Sequence, residues 1–328
     1  MSLNDGMSVI VCCYNSAPRL FQTLKYLACQ QVDPDLLWEV ILVDNASSDN
    51  TSAVAEAAWT EYNIEIDFTI VRESRPGLSY ARDKGIKTAK FGLVVFCDDD
   101  NWLHKDYIRC AYNILSADPT IGALGGRSEA VSETGFPAWF ESEKNNYAVG
   151  EQAFATGDVT SRMHLWGCGL VIRKQLYIAA FSHFPSILTG RRANELSSGE
   201  DSEICMRFIL MGYRLYYSAA LKLYHFIPQN RLNERYNRQL IEGFIQAHRL
   251  LSIYTRLIHL RSESFFQKNI PLLKSLLRIT AGKIFRLQRW NLGNDVVNVY
   301  LISGWKLGAI SEEMLAIRHF SEKYGNYR

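Results

Sequence analysis

The sequence predicts an α/β fold, a mainly parallel sheet with helices on both faces, continued by a helical C-terminal extension. Three observations lead there. Short β-branched apolar runs alternate with helix-length segments over residues 7–121. The runs are apolar nearly throughout, as in strands buried on both faces. Each of three runs ends in polar residues: Tyr14 and Asn15, Asp44 and Asn45, and Asp98, Asp99 and Asp100. Parallel sheets bind ligands beyond the carboxyl ends of their strands, so three strands aim polar side chains at one rim.

Taken in order, residues 7–15 (MSVIVCCYN) form the first expected strand. Residues 16–31 place Leu20, Leu24 and Leu27 at helical spacing, with Ser16 as the expected N-cap. Residues 38–51 (WEVILVDNASSDNT) repeat the unit as a buried strand and an Asp/Asn/Ser turn, and 52–62 supply its helix. A third strand is expected at 66–73, a third helix at 78–90 and a fourth strand at 91–97. From 122 to 224 the spacing turns irregular and aromatic, with shorter strands at 167–173 and 214–225. A helix over 202–212 closes on Gly212. After Pro228 the chain becomes helical, so the expected division is 1–228 and 229–328.

At 328 residues and 37.5 kDa the chain can bury a full core. Its 48% hydrophobic and 21% charged residues exclude a disordered chain. Seven cysteines include no CxxC pair and sit mostly in apolar runs, as expected of reduced thiols in a cytosolic environment, with neither disulfide framework nor zinc site. The opening MSLND lacks the basic region and apolar stretch of a signal peptide. No run approaches the ~18 apolar residues of a membrane span. The net charge of +2 hides a split: residues 231–290 carry 12 Lys/Arg against 3 Asp/Glu, and the rest of the chain is net acidic. Such asymmetry suggests that the basic segment meets an anionic surface.

The stretch 96–103, FCDDDNWL, concentrates the chemistry. Adjacent carboxylates repel and resist desolvation, so they are stable where water or a cation neutralises them. In an extended segment Asp98 and Asp100 share a side and could face one ion, with Asp99 turned away. Such oxygen donors suit Mg²⁺ or Mn²⁺. The alternative is a helix cap, Asp100 or Asn101 opening a helix over 102–115, for which one acid suffices. Asp44 either accepts from a nucleobase N–H or organises an Asx turn. Arg82 is either a diphosphate ligand or a solvated helix residue. Glu200 and Asp201 either complement a helix dipole or include a general base. His225 is either a ligand or a rim side chain, and the glycines of 166–173 (WGCGLVIR) allow close backbone approach of a substrate.

In order, VIVCCYN, VDNASSDNT, GLSYARDKGI, CDDDNW and GEDSEICMRFILMGYRL, closing with YH, resemble the family-2 inverting glycosyltransferases of the GT-A fold, in the nucleotide-diphospho-sugar transferase superfamily. The resemblance covers residues 7–228, and its specificity lies in the five pieces occurring together. It implies a Rossmann-like GT-A sheet whose nucleotide-binding half is 7–121 and acceptor-side half 122–228. It implies metal-dependent, inverting transfer of a hexose-like sugar from a nucleotide-diphosphate donor to a hydroxyl of a glycan or lipid-linked acceptor, in cell-surface polysaccharide synthesis. Cys12 and Tyr14 would line the nucleobase pocket, Asp44 would bond the base, and Arg82 would lie near the diphosphate. Asp98 to Asp100 would form the D-x-D site, with Asp100 the direct ligand of Mg²⁺ or Mn²⁺, Asp98 beside it, Asp99 reaching the ribose and His225 an additional ligand. Asp201 would be the catalytic base, with Glu200 its neighbour. Two departures stand out: Asn45 replaces a common second Asp, and Asp83 a usual Asn, adding negative charge near an anionic donor.

On a helical wheel of residues 269–290, Lys274, Arg278, Arg286 and Arg289 share one arc, opposite Leu273, Leu276, Leu277, Ile284 and Leu287. That pattern is either an interfacial helix on an anionic membrane or a helix with a solvated basic side. A cytoplasmic protein, peripheral on the inner face of the membrane, is the expectation. A nucleotidyltransferase would carry a Gly-rich basic loop after the first strand, and a dinucleotide oxidoreductase GxGxxG; CCYNSAPRL offers neither. A non-catalytic carbohydrate- or partner-binding relic of the fold is the remaining alternative, against which Asp100, Asp201 and His225 stand together. No nucleic-acid motif accompanies the basic tail.

Overall fold

The structure, a computed structural model, describes residues 5–188, 198–284 and 293–324. Two compact units divide the chain, the first Met1–Ile209 with Tyr213–His248, the second Leu210–Gly212 with Arg249–Arg328.

The first unit opens with the alternation read from sequence: β1 (Met7–Cys13), α1 (Leu20–Ala28), β2 (Trp38–Asn45), α2 (Thr51–Tyr62), β3 (Asp67–Glu73), α3 (Leu78–Thr88) and β4 (Leu93–Asp98). Next come β5 (Asn101–Leu103), α4 (Tyr107–Ala117), β6 (Ile121–Val131), the short α5 (Phe140–Glu143), β7 (Gly157–Asp158), β8 (Val171–Arg173), α6 (Lys174–Phe181), α7 (Glu200–Leu210) and β9 (Arg214–Phe226). The strands form one sheet in the order β3-β2-β1-β4-β8-β6-β9-β5, with β7 on β9. β3, β2, β1 and β4 are parallel; β8 runs against β4 and β6, and β5 against β9. The predicted fold class, mixed and mainly parallel, is the one observed.

Burial explains the assembly. Every residue of β2 is buried, and α1 closes one face through Leu20, Leu24 and Leu27, all fully buried. On α3, Gly85 lets the helix lie against β1: a Cβ there would stand 2.3 Å from Ile10 Cγ2.

Two local expectations are corrected. The N-cap of α1 is Arg19, not Ser16; the Ser16 carbonyl accepts from Arg19 and Leu20 N–H, and its hydroxyl turns to Asp99. Neither Asp100 nor Asn101 caps a helix. Residues 101–103 are β5, because Asn101 pairs with His225 and Trp102 stacks between Tyr26 and Phe226, and α4 begins only after Asp106. Cross-strand pairing outweighs the capping preference of an Asp-Asn step.

α8 (Glu234–Ser262) is followed in the second unit by α9 (Phe265–Ile284), α10 (Gly293–Ser303) and α11 (Glu312–Tyr324). Ser275 and Arg278 of α9 both donate to Asp295 of α10, at 2.9 and 2.7 Å. Ile279, Val299, Leu301, Ile317 and Phe320 are buried, whereas Ile270, Leu273 and Leu277 of α9 are 52–62% exposed. Arg286, Leu287 and Arg289 of the predicted basic helix lie outside the described residues, as does the Ile284 side chain. Among the described residues no helix is long and apolar enough to cross a membrane, and all seven cysteines are free.

Candidate functional site

Strand register builds the rim. Cys13 pairs with Asp44 across β1 and β2, and Cys12 with Asp98 across β1 and β4, so three strand ends stop level. Just beyond β4 the chain turns through Asp99 and Asp100 into β5, which pairs with the end of β9 and sets Asn101 opposite His225. The Asp100 carbonyl accepts from Phe226 N–H at 2.9 Å, tying the acidic turn to β9. Sequence reading placed these residues near one another; this pairing brings Asp100 and His225 together.

The three aspartates have separate surroundings. Asp99 faces inward, where Ser16 and Arg19 (2.6 Å) donate to Oδ2. Its carboxyl is pushed above the usual range by burial and by Asp100, with Arg19 opposing. Asp99 thus serves the fold at this point, which leaves the expected reach to a ribose without support from its contacts. Asp100 Oδ1 lies 3.6 Å from His225 Nε2, and Oδ2 accepts from Arg231 Nη1 at 2.8 Å. Asp98 is half-buried and sits in the field of Arg82 and Cys12.

Arg82 is no solvated helix residue; it is 2% exposed. Its guanidinium lies over the Phe96 ring and 3.9 Å from Glu200 Oε1. Burial opposes the charge, but Glu200, Asp98, Cys12 and Asp201 outweigh it and raise the pKa. Nε and Nη1 are buried without a hydrogen-bond partner. Two unsatisfied donors on one buried cation are an arrangement suited to an anionic ligand. Burial also pushes the Cys12 thiol up to about 12, so it is a neutral wall.

Asp201, in the first turn of α7, accepts from Ser202 N–H through Oδ1 at 2.7 Å. Gly167 separates it from Arg82: a Cβ built there would stand 2.8 Å from Arg82 Nη2 and 3.3 Å from Asp201 Oδ2. The candidate residues thus resolve into two groups, Arg82–Glu200–Asp201 with Asp98 near them, and Asp100–His225 across the acidic turn.

Asp44 is buried, accepting from Ser47 N–H at 3.1 Å and Ser52 Oγ at 2.6 Å, so it organises the Asx turn and anchors α2. Tyr14 is 41% exposed at the rim. The two departures have structural reasons. Asn45 donates to the Glu73 and Arg75 carbonyls and accepts from Gly77 N–H, a dual role that an aspartate cannot fill. Asp83 accepts from the buried Tyr177 hydroxyl at 2.7 Å, and that bond engages the charge expected to face a donor.

Asp100 offers the hard oxygen that Mg²⁺ or Mn²⁺ favours and His225 a borderline imidazole nitrogen, which Mn²⁺ accepts more readily than Mg²⁺; His225 Nδ1 is buried without a partner. Among the described residues no cluster of three or more His, Cys, Asp or Glu converges, so a cation here would draw its remaining ligands from substrate and water. Arg19 and Arg231 escaped sequence reading. Arg231 counted only as one of twelve basic residues, and nothing local marks it as the partner of a carboxylate 131 positions earlier. Next to the rim, a cavity of about 800 Å³ opens on β6, lined by Arg127, Glu129, Phe136, Phe140, Lys144 and Glu151 among others. Its floor residue Ala130 pairs with His225.

Known proteins resemble the chain in sequence and in fold. The chain is 34% identical over 101 residues to an uncharacterized glycosyltransferase, YfnE, of Bacillus subtilis (31% of this chain, 24% of that protein). It is 31% identical over 112 residues to the cholesterol galactosyltransferase of Borreliella burgdorferi (34% and 30%). The chain therefore matches less than a third of the length of these curated relatives. Among solved structures, TarS of S. aureus in complex with UDP superposes with a TM-score of 0.55 at 17% identity, covering 98% of this chain and 93% of that one. The mannosyltransferase PcManGT of Pyrobaculum calidifontis, in complex with GDP-Man and Mn²⁺, gives 0.53 at 24% identity, covering 76% and 65%. At such identities these two speak for the fold. The model of the family described as Glycosyl transferase family 2 matches residues 8–179, from β1 into α6 and over more than half of the chain, and the protein belongs to that family.

Proposed function

We propose that the protein transfers a sugar from a nucleoside-diphosphate donor to a hydroxyl of a glycan or lipid-linked acceptor, with inversion at the anomeric carbon. The observation that carries this reading is buried Arg82, with two unsatisfied donors, in the field of the Glu200, Asp98 and Asp201 carboxylates. Arg82 would take the diphosphate, while Tyr14, Cys12 and Asp44 border the nucleobase. Asp44 keeps a free lone pair on each oxygen for that contact. Asp201 would receive the proton of the acceptor hydroxyl as its oxygen attacks the anomeric carbon and the sugar–diphosphate bond breaks on the far side. Asp100 and His225, with Asp98 nearby, would hold Mg²⁺ or Mn²⁺, which when bound neutralises charge on the leaving diphosphate. The cavity on β6 fits the acceptor: stacked Phe136 and Phe140 (4.5 Å) offer an apolar face, and Arg127, Glu129 and Glu151 offer polar groups for hydroxyls. Cell-surface polysaccharide synthesis is the role that such an acceptor would serve.

A panel of nucleotide sugars, each with Mn²⁺, tests the reading by thermal shift and by release of nucleoside diphosphate. One donor should stabilise the protein, by about 2.7 kcal/mol at a hundred times its Kd. If no donor stabilises it or is cleaved, the reading fails.

Gly167→Ala is expected to cut kcat/KM roughly 10²-fold while changing the melting temperature little, since a misplacement of about 1 Å at the reacting groups has that scale. The added methyl crowds Arg82 Nη2 and Asp201 Oδ2, whose side chains are its nearest neighbours. Steady-state kinetics beside a thermal melt would check it, and full activity would show that the two side chains need not stand so close.

The exposed ridge of Ile270, Leu273 and Leu277, next to exposed Lys274, supports docking of α9 on an anionic membrane at the cytoplasmic face. Arg278 belongs to the ion pair with Asp295 and adds less. Vesicles containing phosphatidylglycerol should float with the wild-type protein and much less with Leu273→Asp/Leu277→Asp. Equal flotation of both proteins would reject the surface.

A further inference from the structure

The Asp100 carboxylate faces different groups through its two oxygens: Oδ1 accepts from Asn101 Nδ2 at 3.1 Å and lies 3.6 Å from His225 Nε2, while Oδ2 accepts from Arg231 Nη1. Arg231 lies at the end of a short turn after β9, where its backbone N–H bonds the Pro228 carbonyl and its own carbonyl accepts from Tyr147 at 3.0 Å. Its guanidinium also lies 6.0 Å from the Tyr236 ring centre. The backbone is thus fixed, while the side chain remains 24% exposed. Burial works against the Arg231 charge, but Asp100 outweighs it and raises the pKa, so the group is cationic at any working pH.

A permanent cation on the carboxylate that would hold a metal has a consequence. Two positive centres on one buried carboxylate repel, so the presence of either lowers the affinity for the other. A guanidinium released beside a diphosphate finds phosphate oxygens matched to its fork. We propose that Arg231 is a displaceable counter-ion: it holds Asp100 in place before the donor arrives, competes with the divalent cation for that carboxylate, and moves onto the diphosphate when cation and donor bind together. The inference rests on the proposed metal-assisted transfer and adds to it a residue that couples metal binding to donor binding. The Arg19–Asp99 pair differs, because Ser16 also donates to the Asp99 oxygen that Arg19 holds. It is a fixed strut.

The test measures Mn²⁺ binding by the loss of the free-ion electron paramagnetic resonance signal, with Mn²⁺ alone and with Mn²⁺ plus inorganic pyrophosphate. Arg231→Gln should bind Mn²⁺ alone about tenfold tighter than wild type, a coupling of ordinary size, yet bind pyrophosphate more weakly once Mn²⁺ is present. Opposite signs in the two arms separate displacement from simple structural damage, which would weaken both. Arg231→Met, which keeps the stem length, should behave alike, and circular dichroism melts would confirm that one of the two variants is folded. Unchanged or weaker Mn²⁺ binding in the folded variant overturns the proposal. Asp100→Asn distinguishes the levels: if it loses Mn²⁺ while Arg231→Gln matches wild type, the metal site stands and the counter-ion role falls. Undiminished Mn²⁺ binding in Asp100→Asn overturns both.

Discussion

Replacing Asp201 by Asn is expected to lower kcat by about 10²–10⁴-fold while leaving donor affinity within a few-fold of wild type, the range that general-base assistance contributes. Asp201 Oδ1 is held by Ser202 N–H at 2.7 Å, a bond that an amide oxygen preserves, so the side chain keeps its direction. The other oxygen lies on the Gly167 side, towards Arg82, and there the amide can no longer take a proton. Glu200→Gln should behave differently. Glu200 is the ion-pair partner of Arg82, so its loss should appear as weaker donor binding more than as slower turnover. Single-turnover rates with saturating donor and isothermal titration of the donor separate the two variants. Wild-type turnover in Asp201→Asn would remove Asp201 from the mechanism.

The fold was legible where one physical signal dominates. Continuous apolar strands alternating with helices can satisfy their burial in few ways, and β1 through β4 follow from Val9, Val40, Val95 and their neighbours. The polar strand ends were legible for the same reason, since register follows the strands. What sequence reading lost is long-range pairing. Asp100 looked like a metal ligand or a cap, and its tie to β9 depends on Asn101 lying opposite His225, 124 positions later in the sequence. For Arg82 the sequence left a diphosphate ligand and a solvated helix residue both open, and only the packing of Phe96 beneath it and Gly167 against it reveals burial. Asp83 and Asn45 looked like changes in the electrostatics of the donor pocket. Their partners, Tyr177 and the residue 73–77 loop, give them work within the fold.

The same limit hid the anchor of α7. Glu203 and Arg207 stand one helical turn apart, which from sequence reads as a solvated pair of a few tenths of a kcal/mol. Both side chains are essentially inaccessible and meet at 2.7 Å. Glu203 also accepts from Ser186 Oγ at 2.6 Å, while Arg207 donates to the carbonyls of Ala180, Phe184 and Pro185 and lies over the Phe181 ring. One pair therefore fastens the end of α6 and the segment after it to the helix whose first turn presents Asp201. Arg207→Met should destabilise the protein by about 3–5 kcal/mol, because it strands a buried carboxylate. Glu203→Gln/Arg207→Met should recover part of that loss by removing the charge, but not all, since the three carbonyls remain without their donor. Urea unfolding of both variants beside wild type measures this. A double variant no more stable than Arg207→Met would assign the loss to the carbonyls alone, and a single variant within about 1 kcal/mol of wild type would mean that the pair contributes no more than exposed ones do.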